Sequence, residues 1–185
     1  MNKARRAAAR RGRSLRIMFA DEARFGRINR PPTVLGTNRD QTGSGRPIDP
    51  RIHLLYGAVS PKDGRCMCLI TPTSNTACFQ TFLDVLARKF ARQDILLVLD
   101  GAPNHRCGGL IVPDNITLLY LPPYSPELNP KENIWDEIRE KLFKNYALKS
   151  MDEVYSKLDE AALYIQRNPR VVKSIASFPY IIKSL

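Results

Sequence analysis

The fold is decided by a short apolar run that ends on a carboxylate, Asp94-Ile95-Leu96-Leu97-Val98-Leu99-Asp100. Such a nearly continuous aliphatic run predicts a central strand covered on both faces, because a strand with one face in water alternates apolar with polar residues. A second run, residues 15–20, reads Leu-Arg-Ile-Met-Phe-Ala and is followed by Asp21. Because ligand sites in open α/β sheets gather at the carboxyl ends of strands, we expect Asp21 and Asp100 at that edge.

Further elements follow outward from these two strands. Apolar runs predict strands over 52–59, 65–71 and 116–121, and the turn residues at 60–64 join the first two strands into a hairpin. Apolar spacing predicts helices over 75–90, 130–146, 151–165 and 168–177. This order is that of a ribonuclease-H-like fold. We therefore expect an α/β domain over 15–185, with a mixed five-stranded sheet flanked by helices.

The charge of the chain is concentrated at its start. The 185 residues carry a formal net charge of +11, and residues 1–14 contribute Lys3, Arg5, Arg6, Arg10, Arg11 and Arg13. This basic N-terminal tail has no clear apolar face, so it is either a solvated, mobile terminus or a contact for a polyanion such as DNA. No apolar stretch is long enough to cross a membrane and no signal peptide is visible, so we expect a cytoplasmic, nucleoid-associated protein.

The cysteines and histidines do not have the spacing of a metal site. Cys66 and Cys68 lie on one face of a predicted strand, and no second close pair accompanies them. We expect reduced, buried thiols, with neither structural zinc nor a disulfide.

A third carboxylate joins the two at the strand ends. Glu132 lies in the first turn of the helix predicted over 130–146, just beyond its apolar stripe, so it can point at the rim of the sheet. Each carboxylate also has an ordinary explanation, since Asp residues begin loops and Glu favours helix N-termini. Three converging carboxylates would repel one another without a cation, however, and Mg²⁺ prefers oxygen ligands. Two such ions could activate a nucleophile and stabilise the leaving oxygen in phosphoryl transfer.

The residues around the three carboxylates resemble the catalytic blocks of mariner-type DDE transposases, most closely the bacterial insertion-sequence branch. The first two blocks are residues 19–25, Phe-Ala-Asp-Glu-Ala-Arg-Phe, and residues 99–105, Leu-Asp-Gly-Ala-Pro-Asn-His. The third is the most specific: Leu121-Pro122-Pro123-Tyr124-Ser125-Pro126-Glu127-Leu128-Asn129-Pro130-Lys131-Glu132-Asn133-Ile134-Trp135. The likeness runs from about residue 15 to the end of the chain.

The resemblance implies DNA cleavage at transposon ends and strand transfer into target DNA, with two Mg²⁺ or Mn²⁺ ions held by Asp21, Asp100 and Glu132. Its DNA partners would be the transposon ends and the target, and it is compatible with a homodimer. Glu22 and Glu127 stand beside motif positions without being ligands, and solvation or local capping is expected of them. His105 and Asn129 belong to the motifs and are expected to shape the site or contact DNA.

Two departures from the family pattern bear on function. Family members usually carry helix-turn-helix domains before the catalytic domain, and we expect these domains to be missing from this chain. Residues 31–50 are polar and lack periodicity, whereas relatives carry a strand resembling Cys-Trp-Ala-Pro-x-Gly-x-Arg-Pro. With permitted codons, reading this stretch one base later gives Cys-Trp-Ala-Pro-Ile-Gly-Thr-Arg-Pro. We therefore hypothesise two compensating frameshifts, which would leave 31–50 as an aberrant exposed loop.

Two alternatives to an active transposase stay open at this point. One is a catalytically impaired remnant that only binds DNA non-specifically through its basic surface. The other is a different ribonuclease-H-like nuclease, such as a junction resolvase, although the third block argues against it.

Overall fold

The computed structural model describes residues 2–26, 52–102, 105, 109–122, 129–143 and 150–178. Its strands are β1 (Ser14–Gly26), β2 (Ile52–Val59), β3 (Cys66–Thr71), β4 (Gln93–Leu99) and β5 (Ile116–Tyr120). Its helices are α1 (Asn2–Arg10), α2 (Thr76–Lys89), α3 (Lys131–Ile138), α4 (Met151–Arg167) and α5 (Pro169–Ala176), and a π-helical turn, Arg139–Phe143, continues α3. The stretch 31–50, for which we expect an aberrant exposed loop, lies outside the described residues. Glu127 and the cysteine at position 107 also lie outside them.

The five strands form one mixed sheet in the order β3-β2-β1-β4-β5. β1 pairs antiparallel with β2, which pairs antiparallel with β3 across the predicted hairpin, while β1, β4 and β5 are parallel. Gly64 lies in the hairpin turn with φ +71°, a conformation that a side chain would strain. The predicted ribonuclease-H-like architecture, a mixed five-stranded sheet flanked by helices, is confirmed.

Alternating side chains divide the core into two layers, as the period of a strand requires. On one face, Met18 and Ala20 of β1 pack with the buried residues of α2. On the other face, Phe19, Ala23 and Phe25 pack with α3, α4 and α5. Successive residues of β1 therefore pack against different helices, α2 on one face of the sheet and α3, α4 and α5 on the other.

Strand β1 is longer than the sequence predicted. Its parallel pairing with β4 stops at Phe19↔Val98, but its antiparallel pairing with β2 continues to Gly26↔Ile52. Asp21 consequently lies inside β1, at the point where its β4 neighbour ends, and not at the end of a strand over 15–20.

The expectation that residues 1–14 have no apolar face is wrong for α1. Ala4 and Ala8 lie one helical turn apart and are 8% and 2% exposed. Arg11 and Arg13, which follow the helix, lie 3.2 and 3.6 Å from the carboxylate of Asp94. Two alanines are too small to stand out as an apolar stripe in the sequence, but they are enough to seat a short helix.

Candidate active site

Asp21 is held by two hydrogen bonds on the α3 side of the sheet. The indole Nε1 of Trp135 donates to its Oδ2 at 3.1 Å, and the backbone N–H of Glu22 donates to its Oδ1 at 2.9 Å. Trp135 is 1% exposed and belongs to the core beneath α3. The helix that carries Glu132 therefore also fixes the orientation of Asp21.

Asp100 lies at the end of the sheet where the parallel pairing of β1 with β4 stops. The last pair is Phe19↔Val98, so Asp21 and Asp100 each follow two residues after it on their own chain segments. The Asp100 side chain is 58% exposed, and its Oδ1 accepts the backbone N–H of Ala102 at 3.2 Å. Asp21 is therefore half-buried and held by two hydrogen bonds, whereas Asp100 is open to solvent, and their shared site stays a prediction.

Glu132 lies in the first turn of α3 with an exposed side chain. Burial raises the pKa of Asp21 to about 6, and the negative charge of Glu132 acts in the same direction. The hydrogen bonds from Trp135 and from the Glu22 backbone, together with the charge of Lys131, oppose this rise. Glu132 is therefore near enough to Asp21 for its charge to disfavour the charged form of Asp21.

Lys131 is a functional neighbour that sequence reasoning missed. Its side chain is fully buried, and its Nζ lies 3.8 Å from the centroid of the Trp135 ring. The space comes from Gly57, the β2 partner of Asp21, where an added Cβ would lie 2.1 Å from that Nζ. Within the part of the chain that is described, Nζ has no hydrogen-bond acceptor. Lysine is almost never fully buried, so no sequence signal distinguishes this one.

Glu22 faces the α2 side of the sheet and does not act as a solvating or capping residue. Ser74 Oγ donates to its Oε1 at 2.9 Å, and its Oε2 lies 3.2 Å from His105 Nε2. Burial alone would raise the pKa of Glu22, but the contacts from His105 and Ser74 outweigh it and the pKa is lowered.

His105 connects Glu22 with Asp100. Its ring is 3% exposed, and its Nδ1 lies 2.8 Å from Asp100 Oδ1. Both ring contacts have the distance but not the alignment of a hydrogen bond, so they are better described as ion pairs. Burial disfavours the charged ring, but Glu22 and Asp100 outweigh burial and the pKa of His105 is raised. The expectation that His105 shapes the site or contacts DNA stays a prediction.

Asn129 acts on the helix that carries Glu132. It is buried, and its Oδ1 accepts the backbone N–H of Lys131 at 3.1 Å. Pro130 follows it at the N-cap of α3. Asn129 therefore fixes how α3 begins.

The described carboxylates are not gathered into a finished metal site. Among the residues described, no group of three or more His, Cys, Asp or Glu side chains is placed to hold a metal ion. The donor chemistry nevertheless fits a hard divalent cation, because the three predicted ligands are carboxylates and the charge of Glu132 disfavours the charged form of Asp21, which a cation would offset. Asp21, Asp100 and Glu132 stay predicted ligands.

A cavity of about 800 Å³ lies at the other end of the sheet, where β1 and β4 begin. Its lining includes Arg65, Arg88, Lys89 and Arg92, and none of the three predicted ligands.

No helix in the described ranges has the length and apolarity needed to cross a membrane.

Comparison with known structures agrees with the architecture. The chain is similar to the Mos1 mariner paired-end complex with Mn, at 19% identity and a TM-score of 0.56, over 98% of this chain and 60% of that one. It is similar to the Mos1 paired-end complex with the left transposon end, at 19% identity and a TM-score of 0.54, over 96% of this chain and 61% of that one. The chain thus spans about 60% of the Mos1 transposase chains.

Comparison of sequences identifies the family. The chain is 40% identical over 101 residues to the uncharacterized protein y4pE/y4sA of Sinorhizobium fredii, covering 54% of this chain and 75% of that protein. The model of the DDE superfamily endonucleases matches residues 16–155, which include all three predicted ligands. The chain belongs to the DDE superfamily of endonucleases.

Proposed function

We propose that this chain is a transposase catalytic domain, which cleaves DNA at transposon ends and transfers the strand ends into target DNA. The observation that supports the proposal is that Asp21 and Asp100 each follow two residues after the last residue pair of the parallel strands β1 and β4, with the charge of Glu132 acting on Asp21. Phosphoryl transfer is catalysed mainly by positioning and by stabilising charge, so a fixed carboxylate edge is the part that a protein must supply.

Asp21, Asp100 and Glu132 would hold Mg²⁺ or Mn²⁺, and we propose two ions. Bound ions of this kind polarise the phosphate and lower the pKa of an attacking hydroxyl or water. The chain itself orients the donors: Trp135 fixes one oxygen of Asp21, and Asn129 fixes the start of the helix that bears Glu132. The Mos1 structures include complexes with Mn and with Mg, which supports this choice of metals.

The proposed partners are transposon-end DNA and target DNA. The Mos1 structures include paired-end and strand transfer complexes, and the net charge of +11 favours a polyanionic partner. We also propose that sequence-specific end recognition requires helix-turn-helix domains outside these 185 residues, that the chain can act as a homodimer, and that it works on DNA in the cytoplasm at the nucleoid.

A second candidate is an impaired transposase remnant that only binds DNA. The observation that favours it is that the described carboxylates do not form a ready metal site. The two candidates differ in whether the chain cuts DNA when a metal is supplied.

Nicking of supercoiled plasmid DNA in Mn²⁺ tests this difference without knowledge of the transposon ends. We expect the wild-type chain to nick the plasmid, and Asp21→Asn, Asp100→Asn and Glu132→Gln each to reduce nicking to the level without metal. Asp159→Asn, an exposed position on α4, is the matched control and should retain nicking. A wild-type chain that binds the plasmid but leaves it intact would favour the remnant.

A further inference from the structure

We propose that His105 is a positioning residue that fixes the carboxylate of Asp100 and is itself fixed by Glu22. This inference rests on the proposed function, in which Asp100 is a metal ligand. Glu22 and His105 together hold the exposed carboxylate of Asp100 in place.

Asp100 needs such a restraint because of where it lies. It follows the last residue of β4, beyond the end of the strand pairing, and more than half of its side chain is in solvent. An exposed carboxylate of this kind rotates freely unless a neighbour holds it. The Nδ1 of His105 and the N–H of Ala102 both approach its Oδ1, at 2.8 and 3.2 Å. This arrangement keeps the second oxygen, Oδ2, available for a ligand.

His105 is itself rigidly placed. Its ring is 3% exposed and its centroid lies 4.3 Å from that of Phe79, a fully enclosed residue of α2. The backbone N–H of His105 donates to the carbonyl of Ala102 at 2.9 Å, and the backbone carbonyl of His105 accepts a hydrogen bond from the hydroxyl of Tyr120. The ring can therefore restrain the side chains that its nitrogens contact, Asp100 at Nδ1 and Glu22 at Nε2.

The opposite side of the ring is tied to β1. Glu22 Oε2 lies 3.2 Å from Nε2, and Ser74 Oγ holds the other oxygen of Glu22. Ser74 in turn lies 3.0 Å from the hydroxyl of Tyr56 on β2. A series of contacts thus runs from β2 through Glu22 and His105 to Asp100. Because Glu22 directly follows Asp21, this series fixes one proposed ligand relative to the strand that carries the other.

Groups that orient metal ligands without touching the metal typically change metal affinity by about 10- to 100-fold when removed. Substitutions to Asn and Gln can distinguish the roles of the two ring nitrogens of His105. The Asn amide nitrogen falls near the position of Nδ1 and can still reach Asp100. The Gln amide nitrogen falls near the position of Nε2 and can still reach Glu22 but not Asp100.

The test is calorimetric titration of Mn²⁺ into the full chain without DNA. We expect His105→Gln to weaken Mn²⁺ binding by about 10-fold or more, and His105→Asn to stay close to wild type. His53→Gln is the control, because His53 is the chain's other histidine and its ring lies against Tyr155 of α4. Melting curves of each variant verify folding. If the ring variants fail to fold, Glu22→Ala should weaken binding more than Glu22→Gln, which keeps an acceptor for the ring.

The outcomes separate the two levels of the proposal. Equal Mn²⁺ affinity in His105→Gln, His105→Asn and wild type would overturn the positioning role while leaving the metal site intact. Equal weakening in both His105 variants would also overturn it, because the contact with Asp100 would then not decide affinity. A wild-type chain that takes up no Mn²⁺ would overturn the proposed function and the positioning role together.

Discussion

Asp21 and Asp100 each follow the last residue pair of the parallel strands β1 and β4, yet the protein holds them by different means. Asp21 lies beside the packed layer under α3, where the Trp135 indole donates a hydrogen bond to it and the charge of Lys131 acts on it. Asp100 is exposed beyond the end of β4 and is approached by a buried histidine from the α2 side. The first carboxylate is fixed by the core, the second by a contact that reaches out of the core.

The difference has a consequence for energetics. Changes around Asp21 should alter folding stability, since they disturb close-packed groups and a carboxylate whose charge is unfavourable when buried. Changes at Asp100 should alter ligand binding with little effect on folding. Four substitutions distinguish these two regions, in decreasing order of expected effect.

Trp135→Ala should have the largest effect. It removes a fully buried indole from the α3 layer and also removes the hydrogen bond to Asp21. We expect a loss of about 3–5 kcal/mol in the free energy of unfolding, measured by urea denaturation. A loss below that of an exposed substitution would contradict the placement of Trp135 in the core.

The pH dependence of stability should reveal the burial of Asp21. Its pKa is raised from 3.8 to about 6, so the folded state binds more protons between these values and stability falls as pH rises through that window. Two pKa units correspond to about 3 kcal/mol. Asp21→Asn, which cannot ionise, should therefore gain up to this amount relative to wild type between pH 4 and pH 7. Parallel stability profiles of the two proteins would refute the raised pKa.

Gly57→Ala should be destabilising although alanine usually suits a strand better than glycine. Its Cβ would lie 2.1 Å from Lys131 Nζ and 3.0 Å from a ring atom of Trp135. We expect a loss of about 1–3 kcal/mol from overpacking. A double-mutant cycle with Lys131→Ala checks the cause, because the loss should shrink when the lysine is shortened. A loss that is independent of Lys131 would place the clash elsewhere.

Asp100→Asn should change the free energy of unfolding least, by about 1 kcal/mol or less, because the exposed side chain keeps an oxygen for the N–H of Ala102 and loses only its charge beside His105. The measurement is urea denaturation without metal, beside Asp21→Asn at pH 7. An effect as large as that of Asp21→Asn would remove the contrast between the two carboxylates.

The sequence was sufficient for the sheet. The aliphatic run 95–99 predicts β4, and the apolar spacing at 79, 82, 83 and 86 predicts the face of α2 that is buried. The positions of Asp21 and Asp100 after apolar runs predict a shared edge, because ligand sites gather at the carboxyl ends of strands, and this edge stays a prediction. The length of β1 was not predictable in this way, since its second half pairs only with β2.

The partners of the carboxylates were not predictable, because they depend on contacts across the fold. Glu22 contacts His105 only because β1 turns successive residues to opposite faces and α2 covers one of them. Lys131 is buried only because residue 57, on another strand, has no side chain. Helix α1 buries only two alanines, Ala4 and Ala8, and lacks the wide apolar stripe by which helices are recognised in a sequence.

The central claim is that Asp21, Asp100 and Glu132 form one metal site, and the most direct measurement is the melting temperature with and without Mn²⁺. An ion that binds only the folded chain must raise the melting temperature. We predict that Mn²⁺ raises the melting temperature of the wild type and of Asp159→Asn, and that Asp21→Asn, Asp100→Asn and Glu132→Gln each abolish the rise. A rise that persists unchanged in Asp100→Asn would contradict the claim.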